Sequence, residues 1–172
     1  NTVITCSSAG YINRSTDGGL TWVETQPNIG TSNSWNWYGV LYNPDLSQWL
    51  LWNNHGNIIY SSNDGASWAA GLTTNTQSNI IFQIIWSGSQ YVAAARGGSY
   101  TSSNGTSWAG KHGFGANVAY NHSVAYNGTT YVMSYEDSSN SLWQILSSTD
   151  GSTWTSRRSG AYGSDAHIGG HV

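Results

Sequence analysis

A polar turn that ends in tryptophan occurs four times in this sequence, and its spacing restricts the possible fold more than any other feature. The copies, which we call the Trp turns, are STDGGLTW (15–22), SSNDGASW (61–68), TSSNGTSW (101–108) and SSTDGSTW (147–154). Their final tryptophans, at 22, 68, 108 and 154, are 46, 40 and 46 residues apart. A repeat of about 40–45 residues is typical of one blade of a β-propeller.

Short segments of alternating apolar and polar residues separate the turns, as expected for half-buried strands. Three repeats each supply four such segments: 38–43, 48–53, 57–62 and 67–70; 82–87, 91–95, 99–103 and 107–110; 122–126, 130–135, 142–147 and 153–156. The N-terminus supplies three more, at 3–7, 11–15 and 20–24, and the C-terminal sequence HIGGHV (167–172) supplies the missing one. No repeat has a helical pattern.

We therefore predict an all-β fold, a small propeller of four four-stranded antiparallel blades. The ring closes by pairing of the N- and C-terminal strands. The 172 residues form a single domain whose blades are approximately 1–30 with 162–172, 31–74, 75–115 and 116–161. The alternatives are a four-repeat fragment of a larger ring and a ring completed by a second chain. Because the chain begins at Asn1 without Met, we expect a processed product or an excised domain.

Charge is scarce, which excludes several classes of function. Only 8% of the residues are charged, against about 25% in an average protein. Five Lys and Arg residues in total cannot form a patch that neutralises phosphates, so nucleic-acid binding is not expected. No apolar run has the length of a membrane span, and the single cysteine, Cys6, excludes a disulfide framework within the chain. We predict no cofactor.

The Trp turns carry a family resemblance. STDGGLTW resembles the Asp-box (BNR-repeat) pattern S-x-D-x-G-x-T-W through Ser15, Asp17, Gly19, Thr21 and Trp22. SSNDGASW and SSTDGSTW are similar to a shorter form of it, through Asp64, Gly65, Ser67 and Trp68, and through Asp150, Gly151, Thr153 and Trp154. In the third copy Asn104 stands where the pattern has Asp, ahead of Trp108. The resemblance covers nearly the whole chain as a repeat.

This resemblance implies a structural role for the turns. In Asp-box propellers the box is a hairpin between the third and fourth strands of a blade. A carboxylate or an amide can accept backbone N–H bonds there, but an amide such as Asn104 cannot act as an acid or a base. The predicted structural residues are therefore Asp17, Trp22, Asp64, Trp68, Asn104, Trp108, Asp150 and Trp154.

The family includes sialidases, xyloglucan-degrading hydrolases, sorting receptors and sugar-binding modules, so the fold alone does not give the function. A sialidase would need an arginine triad and an F/Y-R-I-P motif, which this sequence lacks. Two of its four arginines, Arg157 and Arg158, follow one Trp turn, and Arg14 lies beside another. Sialidase activity is therefore not expected.

Most ionisable residues outside the Trp turns map to the opposite face of the blades, and this face is the predicted site. We predict a non-catalytic carbohydrate-binding module, because hydroxyls need many directional partners and few charges. The predicted ligand-binding residues are Trp35, Trp37, Tyr38, Asn53, His55, Arg96 and His167, and Asn54 is a further candidate partner for hydroxyls. The two tryptophans have a second interpretation, in which they pack one blade against the next.

The alternative is a polysaccharide-degrading enzyme, either a glycoside hydrolase or a lyase. Hydrolysis usually needs two carboxylates, which Glu136 or Asp137 could form with Asp165. Because neighbouring residues in a strand point to opposite faces, only one of Glu136 and Asp137 could join the pair. His122 or His167 with a tyrosine could instead abstract a proton in a lyase.

A metal site has the weakest support from the sequence. His122 and His167 could converge from neighbouring inner strands, whereas His167 and His171 would be roughly 13 Å apart along a strand. The Ser-, Asn-, Gly- and Trp-rich composition also agrees with a receptor-binding or adhesive module of a secreted or viral fibre assembly. We expect an extracellular or a cell- or virion-surface location, with a glycan as partner.

Overall fold

The computed structural model of the chain describes residues 1–27, 29, 35–110, 112–113, 118–137 and 141–161. Consecutive strands pair into four antiparallel sheets. The first contains β1 (Val3–Cys6), β2 (Ile12–Ser15) and β3 (Val23–Thr25), and the second β4 (Trp37–Asn43), β5 (Gln48–Asn53), β6 (Ile58–Ser61) and β7 (Ala69–Leu72). The third contains β8 (Ile81–Trp86), β9 (Tyr91–Ala95), β10 (Gly98–Ser102) and β11 (His112–Gly113), and the fourth β12 (Val118–Tyr126), β13 (Tyr131–Asp137), β14 (Leu142–Ser148) and β15 (Thr155–Ala161).

The prediction of an all-β fold is confirmed. Apart from two three-residue 3-10 helices, Ser8–Gly10 and Gln77–Asn79, the described part of the chain has only strands and their connections. None of its helices has the length and apolarity that a membrane crossing requires. The first sheet has three strands in the described residues, and the segment predicted to add the fourth, 167–172, lies outside them.

Two compact units make up the chain. Unit 1 contains Asn1–Ile81 with Asn104–Ser107, and unit 2 contains Phe82–Ser103 with Trp108–Val172. In unit 1 the core is formed by Ile12, Trp37, Leu51 and Ile59. In unit 2 it is formed by Val92, Ala94, Val124, Tyr131 and Met133. Strands β5 and β9 are buried along their whole length, because each pairs with a strand on both sides and has both faces covered.

All four outer strands begin two to five residues later than the sequence pattern predicts. The pattern predicts starts at 20, 67, 107 and 153, whereas β3 begins at Val23, β7 at Ala69, β11 at His112 and β15 at Thr155. In the fourth sheet the turn's own hydrogen bonds extend to the N–H of Thr153, so this residue belongs to the turn and cannot start the strand. The Trp turns themselves lie between the third and fourth strands of the three four-stranded sheets, as predicted.

One side-chain oxygen, two residues after a serine, holds each Trp turn. Asp17 Oδ1 accepts the N–H groups of Leu20 and Thr21 at 3.0 and 2.9 Å. Asp150 Oδ1 accepts the N–H groups of Ser152 and Thr153 at 2.9 and 2.7 Å. In the third turn Asn104 Oδ1 accepts those of Thr106 and Ser107, each at 3.0 Å. An amide oxygen and a carboxylate oxygen therefore accept equivalent pairs of backbone hydrogen bonds in these turns.

The second turn corrects one residue assignment. Asn63, rather than Asp64, accepts the Ser67 N–H at 3.0 Å, and it also accepts the Ser61 hydroxyl at 2.8 Å. Asp64 has a left-handed backbone with φ 58°, as Gly18 does in the first turn, and its carbonyl accepts Arg14 Nε at 2.6 Å. The segment 61–68 is thus a copy of the longer form of the turn with an amide as its acceptor.

Hydrogen bonds lower the pKa of both turn aspartates. For Asp17 the largest effect is the Thr21 hydroxyl, followed by the Thr21 N–H and Ser15, and these hold the pKa of the carboxyl well below its usual range. For Asp150 the N–H groups of Thr153 and Ser152 lower the pKa in the same way. A carboxyl whose pKa is lower in the folded state stabilises the fold above its unfolded pKa, and this stability is lost as the pH falls through the folded pKa.

We therefore expect the Asp17→Asn, Asp150→Asn double variant to lose less stability in acid than the unchanged protein. Between about pH 5 and pH 2 its free energy of unfolding, from urea titrations, should change with a smaller slope, because the amide keeps the acceptor oxygen but does not titrate. Asp150→Ala is the control, since it removes the acceptor and should be less stable at every pH. An unchanged acid slope in the double variant would contradict this role of the carboxylates.

Candidate functional site

The link between β5 and β6 lies at the end of the second sheet opposite its Trp turn. Asn53 shapes this link from inside, because its Oδ1 accepts the N–H groups of His55 and Asn57 at 2.9 and 3.0 Å. Gly56 has φ 74°, and a Cβ there would overlap Thr74 and the carbonyl of Asn79. Asn53 was predicted to bind ligand, but it is fully buried and holds the turn instead.

Trp35 and His55 form an aromatic stack at this end of unit 1. Their ring centroids are 4.8 Å apart and their planes differ by 15°. The backbone of His55 is anchored, because its carbonyl accepts the Thr74 hydroxyl at 2.8 Å and the Thr76 N–H at 2.9 Å. Both rings are half-buried, so each keeps an exposed part.

Two asparagines beside the stack have their oxygens occupied by backbone groups. Asn36 Oδ1 accepts the Ala9 N–H at 3.1 Å, and Asn54 Oδ1 accepts the Asn36 N–H at 3.2 Å. The Asn54 N–H in turn donates to the Asn36 carbonyl at 3.2 Å. Within the described residues neither side-chain NH2 group has a partner, and neither is buried. We call Trp35, Asn36, Asn54 and His55 the amide–ring site.

Other predicted ligand-binding residues lie elsewhere. Trp37 belongs to the core of unit 1, where its Nε1 donates to the Gly10 carbonyl at 2.9 Å, so the packing interpretation holds for this ring. Tyr38 is 49% exposed at a β-bulge of β4, where the register shifts between Trp37 and Gly39. Arg96 is half-buried in unit 2, between β9 and β10. His167 lies outside the described residues.

Asn36 is the site residue that the sequence analysis missed. It lies between the two tryptophans of the segment WNW and attracts no attention in a polar, Asn-rich chain. The sequence feature that could have indicated Asn36 is the alternation of side chains along an extended segment. It places the side chain of Asn36 on the side opposite to those of Trp35 and Trp37.

Three of the residues proposed for catalysis, His122, Glu136 and Asp137, are in unit 2, on β12 and β13. Glu136 is buried, with 8% of its surface exposed, and its Oε1 lacks a hydrogen-bond partner among the described residues. Asp137 is half-buried at the strand end, where it pairs in register with Leu142, while Glu136 pairs with Trp143. His122 is part of β12, and Asp165 lies outside the described residues.

One neighbour of these carboxylates has a perturbed pKa. Burial raises the pKa of Tyr135, the charge of Asp137 adds to the rise, and a hydrogen bond with Gln144 opposes it. No group of three His, Cys, Asp or Glu side chains that could hold a metal ion occurs within the described ranges. The proposed partners His122 and His167 are not tested by this finding, because His167 and the side chain of His122 lie outside the description.

Known structures identify the class of fold as a β-propeller. An ancestral GH74 enzyme matches 90% of this chain with a TM-score of 0.65 at 15% identity, and the match covers 25% of that protein's chain. YCF48 from Cyanidioschyzon merolae matches 91% with a TM-score of 0.63 at 15% identity, covering 52% of its chain. A GH74 enzyme from Niastella koreensis matches 90% with a TM-score of 0.57 at 19% identity, covering 22%.

The sequence here spans about a quarter of the GH74 chains and half of the YCF48 chain. No protein-family model matches it, and no curated protein matches it by sequence. The structural likeness therefore establishes the propeller fold and leaves the function to be argued from the site.

Proposed function

We propose that this propeller is a non-catalytic carbohydrate-binding module of the Asp-box type, and that the amide–ring site of unit 1 binds a glycan. The observation that supports it is a half-exposed indole, Trp35, held by stacking on His55 beside two asparagines whose amide groups are oriented by the backbone. A flat ring suits the C–H face of a sugar, while NH2 groups suit its hydroxyls.

The low charge of the chain agrees with a neutral ligand. We further propose a receptor-binding or adhesive role at an extracellular, cell or virion surface, within a larger secreted or viral fibre assembly. The Ser-, Asn-, Gly- and Trp-rich composition supports this setting.

Trp35→Ala should reduce glycan binding at least tenfold, as measured on a glycan array and by titration of the strongest hit. Tenfold corresponds to about 1.4 kcal/mol, a reasonable value for one ring–sugar contact. Trp22→Ala is the matched control, because Trp22 is also partly exposed but belongs to a Trp turn. Glycan binding by this variant should be unchanged. Equal losses in both variants, or no glycan binding by the unchanged protein, would contradict the proposal.

A polysaccharide-degrading enzyme is the second candidate, and it is favoured by Glu136 Oε1, which is buried and has no hydrogen-bond partner among the described residues. A buried carboxylate without a partner is costly, so such groups often serve a function. In a glycoside hydrolase the second carboxylate would be that of Asp165. In a lyase His122 would instead be the base. Cleavage of polysaccharides by the unchanged protein, abolished by Glu136→Gln, would replace the binding proposal with this one.

A further inference from the structure

We propose that His55 is a specificity-determining residue of the amide–ring site: its Nε2 accepts a hydrogen bond from a hydroxyl of the bound sugar. This inference rests on the proposed function, because it names what the glycan must present. The ligand class is a neutral saccharide with a free hydroxyl over the edge of the His55 ring, flanked by oxygens that accept from the Asn36 and Asn54 amides.

The backbone N–H of Asn36 fixes the orientation of the Asn54 amide. The backbone N–H of Asn36 can only donate, and it lies 3.2 Å from Asn54 Oδ1. The atom in that position must therefore be the oxygen of the carboxamide, since an NH2 group would meet the N–H donor with its own hydrogens. This backbone contact fixes which atom of Asn54 faces its neighbours.

The tautomer of His55 follows from that orientation. Asn54 Oδ1 lies 2.9 Å from His55 Nδ1. An amide oxygen is only an acceptor, so Nδ1 must carry the proton of the imidazole. The neutral ring has one N–H, which leaves Nε2 with a free lone pair. Within the described residues Nε2 has no hydrogen-bond partner, and this atom of the half-buried His55 is not sealed from solvent.

The polar groups of the site therefore form a fixed pattern. The NH2 groups of Asn36 and Asn54 offer donors, because both carboxamide oxygens are occupied by backbone N–H groups. His55 Nε2 offers one acceptor. A sugar hydroxyl can donate to the imidazole while neighbouring oxygens accept from the amides, whereas a carboxylate or a sulfate has no proton to donate and would meet the Nε2 lone pair with its own.

The free protein provides the first test. Two-bond 1H–15N correlation spectra of the histidine rings in alkaline buffer should show His55, assigned by comparison with the His55→Phe variant, as the Nδ1-protonated tautomer. Detection of the Nε2-protonated tautomer would overturn the inference, and it would do so without any glycan and without affecting the proposed function.

The second test uses methyl β-D-glucopyranoside, methyl β-D-galactopyranoside and methyl α-D-mannopyranoside, together with analogues in which one hydroxyl is replaced by fluorine, an atom that cannot donate. For the glycoside that binds, one fluorinated position should weaken binding about tenfold, a usual value for a lost hydrogen bond to a polar partner. His55→Phe keeps an aromatic ring for the stack but lacks Nε2, and the same fluorinated analogue should bind it as well as the parent sugar does.

Each remaining outcome has one meaning. If no glycoside binds the unchanged protein, both the proposed function and this inference fail. If glycosides bind and Trp35→Ala abolishes binding, but every loss on fluorination persists in His55→Phe, then the glycan site stands and the role of His55 is overturned.

Discussion

Replacing Gly39 with alanine is expected to lower the free energy of unfolding by about 3 kcal/mol, because the new methyl group would overlap a buried tryptophan. Gly39 pairs across the sheet with Trp52, whose ring occupies the space that a side chain at Gly39 would need. A Cβ at Gly39 would have three atoms of that ring within 2.8 Å, and Trp52 is buried. Either the ring leaves its place in unit 1 or the β4 backbone moves away from β5.

The measurement is chemical unfolding of the Gly39→Ala variant, supported by its melting temperature, which should fall by roughly 6–12 °C for a chain of this size. Gly110→Ala is the matched control, since nothing lies within 4 Å of a Cβ at that position and its backbone does not need positive φ. This control should be neutral or slightly more stable.

A double-mutant cycle assigns the cost to the ring itself. In a Trp52→Leu background the ring is absent, so Gly39→Ala should cost less than about 1 kcal/mol. A full penalty in that background would show that the backbone of Gly39, and not its contact with Trp52, requires glycine. In unit 2 Gly160 pairs with Trp143, and a Cβ at Gly160 would have three atoms of that ring at 2.7–2.8 Å. Because Trp143 is only half-buried and its ring can move more easily, Gly160→Ala should cost less than Gly39→Ala.

This glycine–tryptophan packing shows where prediction from the sequence stops. The alternation of apolar and polar residues predicts strands at 38–43 and 48–53, and the structure has them at Trp37–Asn43 and Gln48–Asn53. It does not reveal the bulge at Tyr38, which sets Gly39 opposite Trp52. A bulge shifts the register between two strands, and the alternation along one strand does not show where the shift occurs.

The Trp turns show a different kind of error. Their 40–46-residue spacing and their position before the last strand of a blade are predictable, because turn residues report local geometry. In the second turn the prediction of Asp64 as the acceptor is wrong, because the pair Asp64–Gly65 resembles Asp150–Gly151 while the acceptor is Asn63. The constant feature is the interval of two residues from serine to acceptor, as in Ser15 with Asp17 and Ser61 with Asn63.

The candidate site was only partly predictable for a physical reason. The sequence predicts Trp35 and His55 as ligand-binding residues because both lie in links on the face opposite the Trp turns. An aromatic ring and an imidazole stand out there among small polar residues. The sequence could not separate Trp35 from Trp37, because both are tryptophans in one short segment and only packing buries the second. The role of Asn36 depends on hydrogen bonds with Ala9 and Asn54, 27 and 18 residues away.

Deletion of residues 162–172 is the second change from which we expect a large effect, and it tests the predicted closure by the terminal strands. The repeat pattern leaves one blade a strand short unless HIGGHV (167–172) completes it. In the described residues β1 has one partner strand, β2, whereas the second, third and fourth sheets have four strands each. A strand with an unpaired side exposes its N–H and C=O groups and is a weak point of a sheet.

If the prediction of closure is right, the deletion should lower the melting temperature by at least about 10 °C, corresponding to a loss of roughly 3–5 kcal/mol in a chain of this size. Hydrogen exchange should then accelerate in a peptide spanning Val3–Cys6, because its outward amides lose their partners.

Gly170→Pro in the full chain should act in the same direction, since proline cannot donate to a strand ladder, and Gly170→Ser is its control. Unchanged stability together with unchanged exchange in β1 would show that the C-terminal segment does not pair with it, and would favour a fragment of a larger ring or completion by a second chain.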